Sequence, residues 1–279
     1  MTANPPDSLS PFLDRVICGD NCETLAAMPA ESVDLVVTSP PYDDLRTYGG
    51  HSWDFDGVAR ELTRVLKPGG VIVWVVNDAT VNGSETGTSM KQALGFMDSG
   101  LRLHDTMIWE KVNVVPSVAV MQSRYEQCWE YMFVLSKGKP KTCNHIREPK
   151  TYMDTRKTHQ GHRKANGEFG ELKVSQRTDK ILRNLWRIKT GGGHAGDATC
   201  HDHPAVFPER LAKDHVATWS NPGDVVLDPF AGSGTTLKAA KELGRRFVGI
   251  EINPEYVEIC HRRIAQEVLN LFPENNIAT

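Results

Sequence analysis

The stretch Val225-Val226-Leu227-Asp228-Pro229-Phe230-Ala231-Gly232-Ser233-Gly234-Thr235-Thr236 decides how this chain folds. Three aliphatic residues run straight into a proline and glycine turn, and the turn opens a helix predicted over Thr235 to Leu243, stopped by Gly244. A short all-apolar strand of this kind is buried on both faces, as in a parallel sheet. The carboxyl ends of such strands are where α/β sheets place their ligands. A second strand of the same kind, Val33 to Val37, closes on Thr38-Ser39-Pro40-Pro41-Tyr42. One carboxyl edge thus carries a glycine loop suited to a nucleotide-like ligand, and the other a rigid corner suited to a flat, amine-bearing one.

The rest of the pattern fits around these two strands. Val16-Ile17-Cys18 is a strand ending at Gly19-Asp20, and Glu23 to Met28 is helical. Val58, Leu62, Val65 and Leu66 share one helical face, and Lys67-Pro68-Gly69-Gly70 is expected to stop that helix. Val71 to Val76 is apolar throughout, so it is predicted as a central strand covered on both sides. Met107-Ile108-Trp109 and Tyr131 to Leu135 complete this half. His203 to Val216 reads as a helix and Phe247 to Glu251 as a strand. Asn253-Pro254 supplies an N-cap and first-turn proline for a helix carrying Val257, Cys260, Ile264 and Val268.

Composition and charge narrow the function classes. At 279 residues, 39% hydrophobic and 24% charged, the chain is long enough to bury a substantial core. No apolar stretch approaches the ~20 residues of a membrane span, and Met1 to Ser10 has neither a basic nor an apolar signal region. Six dispersed cysteines favour reduced thiols in a cytoplasmic protein over a disulfide scaffold. The net charge of −3 conceals an asymmetry: Lys137 to Lys189 holds 15 Lys and Arg against 5 Asp and Glu, a local +10 on a body of −13. Binding a polyanion is the simplest use of such a segment. The same region is polar and glycine-punctuated, and reads as an inserted module rather than a continuation of the sheet.

Gly232-x-Gly234 is not a P-loop, since no lysine follows, and Leu237 breaks the dinucleotide fingerprint. Two glycines alone mark only a tight turn, but this turn opens a helix whose backbone N–H groups can face a ligand. Seventeen residues beyond Gly234, Glu251 ends the next strand, where a carboxylate accepts hydrogen bonds from a ribose diol. Asp228 beside the loop suits a cationic ligand better than a pyrophosphate. An adenosine carrying an amino acid and a sulfonium combines these features, which favours S-adenosylmethionine over NAD.

In Ser39-Pro40-Pro41-Tyr42, two prolines remove N–H donors and leave carbonyl oxygens free to accept. If the Ser39 side chain and the Pro40 carbonyl accept both hydrogens of an exocyclic amine, the nitrogen lone pair leaves conjugation and turns toward a methyl donor. Tyr42 offers a face for an extruded base. No Pro-Cys dipeptide occurs, so attack by a cysteine nucleophile has no candidate.

These residues resemble the amino-methylating DNA methyltransferases, in the permuted order (the beta class) where the Ser-Pro-Pro-Tyr half precedes the cofactor half. The resemblance spans roughly residues 15–136 and 201–268. It implies a Rossmann-like α/β methyltransferase fold, a mostly parallel sheet flanked by helices, acting on double-stranded DNA with S-adenosylmethionine. Carried over by motif, Ser39, Pro40, Pro41 and Tyr42 are the catalytic corner. Asp228, Phe230, Ala231, Gly232, Ser233, Gly234 and Thr235 are the cofactor loop, and Glu251 is the ribose-binding acid. Gly19-Asp20 resembles the adenine-contacting segment, and His203 to Leu211, with His203 and Phe207, the segment at the methionine end of the cofactor. Trp109-Glu110-Lys111 and Arg124 to Glu130 resemble less specific segments. Three segments result: a catalytic half at 12–136, a basic target-recognition insert at 137–200 and a cofactor half at 201–270.

Ser39 at the first corner position resembles the cytosine-N4 pattern, and adenine-N6 is the alternative. A NAD-dependent oxidoreductase or a nucleic-acid binder without catalysis are more distant readings. RNA or protein-amide methylation, a homodimer and a paired restriction endonuclease stay open. Cys143-Asn144-His145 and Cys200 to His203 lack a zinc-knuckle spacing, so no metal is expected. Trp74 and Trp129 are expected in the core. Trp186, flanked by Arg183, Arg187 and Lys189, is either a DNA contact or an anchor for the insert.

Overall fold

The structure, a computed structural model, describes residues 8–41, 53–113, 124–150, 178–190 and 208–265, and the backbone of 158–159 and 172–173. The chain divides into two compact units, residues 145–183 forming the smaller.

In the larger unit the elements run β1 (Arg15–Cys18), α1 (Asn21–Ala27), β2 (Val33–Thr38), α2 (Phe55–Val65), β3 (Leu66–Val76), β4 (Thr80–Val81), β5 (Ser84–Glu85), α3 (Thr88–Asp98), β6 (Arg102–Lys111) and β7 (Trp129–Ser136). The smaller unit holds β8 (Arg147–Pro149), β9 (Thr158–His159), β10 (Leu172–Lys173) and β11 (Asp179–Ile181). The larger unit then resumes with β12 (Leu185–Ile188), α4 (Glu209–Trp219), β13 (Val225–Asp228), α5 (Thr235–Glu242), β14 (Arg246–Glu251) and α6 (Pro254–Ala265).

Eight strands form one sheet in the order β1-β14-β13-β2-β3-β7-β6-β12. All neighbours are parallel except β7, which runs antiparallel to both β3 and β6. The expected α/β fold with a mostly parallel sheet is therefore present. Strands β2 and β13 are buried at every position, as continuous aliphatic runs require when helices cover both faces. On one face, Ile72, Trp74 and Val76 of β3 and Phe133 and Leu135 of β7 join Leu25 of α1, Leu62 of α2 and Phe96 of α3 in a single core cluster. On the other face, Met132 of β7 meets His215 of α4, its Sδ 3.3 Å from Nε2.

The strand order reverses at the centre. From β2 the chain moves to β3 on one side, and from β13 it moves to β14 on the other. The crevice above the adjoining ends of β2 and β13 is thus a topological switch point, the usual ligand position in an open α/β sheet. Two carboxylates pin this central pair. Asp34, the one charge in the apolar run of β2, is buried at the opposite edge and accepts from the N–H of Val225 (3.0 Å) and from Lys67 (2.6 Å). Burial opposes its charge, but these donors and Lys141 hold it below the ordinary carboxylate range. Asp228 does the corresponding work at the carboxyl edge, described below.

Several expectations need correction. Helix α2 ends at Val65 with Leu66 as its C-cap, where the stop was expected, but Lys67 to Gly70 belong to β3, which begins at Leu66 rather than Val71. A bulge between Val33 and Leu35 opposite this stretch absorbs the extra residues. The region after Ser136 is not wholly outside the sheet: β12 pairs in parallel with β6, Trp186 opposite Trp109. Trp186 is 5% exposed and stacks on His215 with centroids 4.5 Å apart, so it anchors an edge strand. The helix expected from His203 begins, within the described residues, at Glu209 and extends to Trp219. Helix α3 had no counterpart in the sequence reading. Trp74 is fully buried as expected, and Trp129 is half-buried.

In the smaller unit, β8 and β11 form an antiparallel ladder. Arg147 grips Asp179 with two hydrogen bonds of 2.6 and 3.1 Å, and Lys180 pairs with Glu148. Among the described residues no helix is long and apolar enough to cross a membrane, and no group of His, Cys, Asp and Glu could hold a metal ion.

Candidate functional site

The glycine loop follows directly from β13. Gly232 (φ +50°) and Gly234 (φ +78°) adopt left-handed backbone, and Gly234 caps α5. A Cβ on Gly234 would lie 2.3 Å from Cys260 Sγ, so α6 packs against the loop where only glycine fits. The N–H of Ala231 donates to the Ile250 carbonyl (2.9 Å) and that of Gly232 to Glu251 Oε2 (2.8 Å). Glu251 Oε1 accepts from the N–H of Asn253 (2.9 Å). Glu251 therefore first shapes the loop, and a carboxylate has further lone-pair positions for hydroxyl donors.

Asp20 lies one strand further along the same edge. Cys18 sits opposite Glu251 in the β1–β14 register, and the N–H of Gly19 donates to the Glu251 carbonyl (3.0 Å). The Asp20 carboxylate caps α1 by accepting from the N–H of Glu23 (3.0 Å). Asn21, buried beside it, donates to the Pro229 carbonyl at 3.5 Å.

Asp228 is buried at the head of the loop. Its Oδ1 accepts from Thr38 Oγ1 at 2.6 Å and from the N–H of Phe230 at 3.1 Å. Burial drives its carboxyl up from 3.8 to about 6, against the opposing pull of hydrogen bonds from Thr38, Phe230 and Thr236; Glu251 adds a further upward push. A carboxylate held so reluctantly in its charged form gains most from a cationic ligand.

The corner is set by β2. Thr38 is the last residue of the strand and is buried; Ser39 is half-buried, Pro40 buried and Pro41 half-buried. Sheet register aligns Leu227 with Val36, which brings Asp228 level with the end of β2. The end of β2 and the head of the glycine loop therefore adjoin at the switch point. Tyr42, His203 and Phe207 lie outside the described residues.

Other residues contribute to which the sequence reading assigned no role in the site. Arg263 of α6 is fully buried and donates to the Ser233 carbonyl (2.8 Å), Ser233 Oγ (2.7 Å) and Thr235 Oγ1 (3.0 Å). It also pairs with Glu209 Oε1 at 3.0 Å, where Lys238 joins at 3.2 Å. Burial works against the charge of Glu209, yet Lys238 and Arg263 hold it below the ordinary Glu range. The available signal was that Arg263 falls in the i, i+3 register of Val257 and Cys260, a charge on an apolar face. Trp53 packs edge-on against Phe230 of the loop with centroids 4.9 Å apart, and Trp74 lies behind both. Thr38, which holds Asp228, is another.

The donor set fits S-adenosylmethionine: a buried carboxylate for an ammonium and a second at a strand end for a diol, beside a glycine loop that packs against α6.

Comparison with known proteins points the same way. The N6_N4_Mtase family model, described as DNA methylase, matches residues 33–262. The orphan methyltransferase M.BamHII of Bacillus amyloliquefaciens is 48% identical over 248 residues, covering 85% of this chain and 91% of that protein. The type II methyltransferase M.SmaI of Serratia marcescens is 30% identical over 292 residues, covering 90% of each. Among solved structures, TTHA0409 of Thermus thermophilus, complexed with S-adenosyl-L-methionine, superposes with a TM-score of 0.58 at 29% identity, covering 90% of this chain and 96% of that one. The PvuII DNA methyltransferase, cytosine-N4-specific, reaches a TM-score of 0.65 at 23% identity, covering 94% and 87%, a likeness of fold. With a matching loop, corner and family model, the chain belongs to the N6_N4_Mtase family of DNA methylases.

Proposed function

We propose that this S-adenosylmethionine-dependent DNA methyltransferase methylates the exocyclic N4 amine of cytosine, on a base turned out of double-stranded DNA. The observation that carries the reading is the meeting of Ser39-Pro40 with the Asp228 loop across the switch point, strapped by the 2.6 Å Thr38–Asp228 hydrogen bond. Adenine-N6 is the competing substrate. Ser39 supports cytosine, because a hydroxyl both accepts from the amine and can donate to the acceptor-rich edge of that base.

In this reading Asp228 holds the ammonium of the cofactor's methionine part and Glu251 the ribose hydroxyls. The loop residues Phe230, Ala231, Gly232, Ser233, Gly234 and Thr235 line the ligand, Asp20 closes the adenine end, and His203 and Phe207 flank the methionine end. S-adenosylmethionine supplies an electrophilic methyl group on a sulfonium. The Ser39 hydroxyl and the Pro40 carbonyl accept the two amine hydrogens, so the nitrogen lone pair leaves conjugation with the ring. The prolines keep the acceptor fixed and Tyr42 stacks on the base. No covalent enzyme intermediate is needed.

Ser39-Pro40 precedes Asp228 to Gly234 in the chain, which supports assignment to the permuted beta class. The +10 charge of Lys137 to Lys189 supports target recognition by the insert at 137–200.

The deciding experiment is incubation with mixed-sequence duplex DNA and labelled S-adenosylmethionine, followed by nucleoside mass spectrometry. N4-methylcytosine is expected, with Ser39→Ala lowering kcat far more than cofactor affinity. N6-methyladenine would overturn the base assignment, and equal losses in kcat and affinity would overturn the role of Ser39.

A further inference from the structure

The residues just before the corner are tied to the cofactor loop twice. Thr38 Oγ1 donates to Asp228 Oδ1 (2.6 Å), and Thr236 Oγ1, at the start of α5, donates to the Val37 carbonyl (3.1 Å). Thr38 and Thr236 are each 1% exposed, so water does not compete for these bonds. Residues 37 and 38 of β2 are thereby locked to residues 228 and 236, and Ser39 is the next residue along the chain. A strand end could be held by backbone pairing alone, yet here a buried hydroxyl is aimed at the carboxylate assigned above to the cofactor's ammonium.

From this juxtaposition we propose that Thr38 is a positioning residue that couples the two halves of the site: its hydroxyl orients Asp228 for the cofactor and, through the same bond, fixes the strand end that presents Ser39 to the amine. The inference rests on the assignments of Asp228 and Ser39 made above. One bond therefore serves both binding and transfer, and its loss weakens both.

The pH dependence separates coupling from simple structural support. Asp228 must be ionised to hold an ammonium, so cofactor affinity falls as pH drops through its titration near 6. The Thr38 hydrogen bond favours the charged form. Removing it moves the fall in affinity to higher pH. Among the described residues, the other titratable groups coupled to Asp228 are Glu251 from β14, which pushes the same way, and Cys260 from α6, whose thiol burial pushes to about 12 and keeps neutral.

The test uses full-length Thr38→Val, which is nearly isosteric, and Thr38→Ser, which keeps the hydroxyl. Calorimetric titration with S-adenosylmethionine from pH 5 to 8 gives Kd and its midpoint, and methylation of mixed-sequence duplex DNA at saturating cofactor gives kcat. Thr38→Val is expected to raise Kd and lower kcat by about tenfold each, as loss of a hydrogen bond to a charged group implies. Its acid midpoint should move up by about half a pH unit or more. Thr38→Ser should restore all three, and Thr38→Ala gives the same readouts as Thr38→Val should that variant not fold. A lowered Tm with unchanged Kd, midpoint and kcat would overturn the coupling while leaving the proposed function intact. Failure of the unmodified protein to methylate DNA would overturn both.

Discussion

Replacing Asp228 with asparagine is expected to make the protein more stable and less able to bind its cofactor. The carboxyl of Asp228 is buried, and burial raises its titration from 3.8 to about 6. Below 3.8 it is protonated in both folded and unfolded chains and costs nothing. As pH rises toward 6 the unfolded chain releases the proton first, so stability falls. Above 6 the full penalty is present, about 3 kcal/mol for a rise of this size. Asp228→Asn removes the charge and keeps an acceptor for Thr38 and the Phe230 N–H. Its new amide donors must find partners in the same pocket, which reduces the net gain to about 1–2 kcal/mol. In Tm that is about 2–6 °C for a protein of this size. Scanning calorimetry at pH 7.5 should show the variant melting above the parent, the advantage shrinking below pH 6 and reversing near pH 5, where the falling burial penalty no longer exceeds the cost of the amide donors. Added S-adenosylmethionine should raise the Tm of the parent and barely that of the variant. A variant less stable at pH 7.5 by a pH-independent margin, with unchanged response to the cofactor, would refute the reading of Asp228 as a strained ligand-binding carboxylate.

The other loop positions lead to sharper structural outcomes. Gly234→Ala places a methyl group 2.3 Å from Cys260 Sγ on left-handed backbone, so cofactor affinity measured by titration should fall at least about tenfold. Adding Cys260→Ala should recover part of the lost Tm, because it relieves the contact but not the backbone strain. Arg263→Met strips three hydrogen bonds from Ser233 and Thr235 and leaves Glu209 with Lys238 alone, a loss of about 3–5 kcal/mol by denaturant unfolding. Glu209→Gln combined with Arg263→Met should cost less than the sum of the two, since the same ion pair is broken once.

How much was legible in sequence depended on whether a pattern was local. Strands β2, β3 and β13 declared themselves because a strand covered on both faces reads as a near-continuous apolar run, as in Leu35 to Val37, Val71 to Val76 and Val225 to Leu227. Helix α6 did so through Asn253, whose side chain accepts from the N–H of Glu255, and Pro254. Helix α3 did not, because Met90, Leu94 and Met97 are exposed while Ser89 and Gln92 are buried, which blurs the amphipathic period. Edge strand β12 was hidden in a basic, glycine-rich region, since Leu185 and Arg187 face outward while Trp186 and Ile188 face in.

By itself the sequence determined the chemistry on offer: a strand ending in a glycine loop, a strand ending in Ser-Pro-Pro, a carboxylate beside one and an acceptor in the other. Those features are properties of consecutive residues, and short-range sterics suffice to define them. Only the tertiary structure decided which groups share the site. Thr38 reaches Asp228 across 190 positions, and Arg263 reaches Ser233 across 30, because sheet order and helix packing bring together residues that no spacing rule connects. The titration of Asp228 belongs to the same class, since desolvation exists only once the core has closed around it.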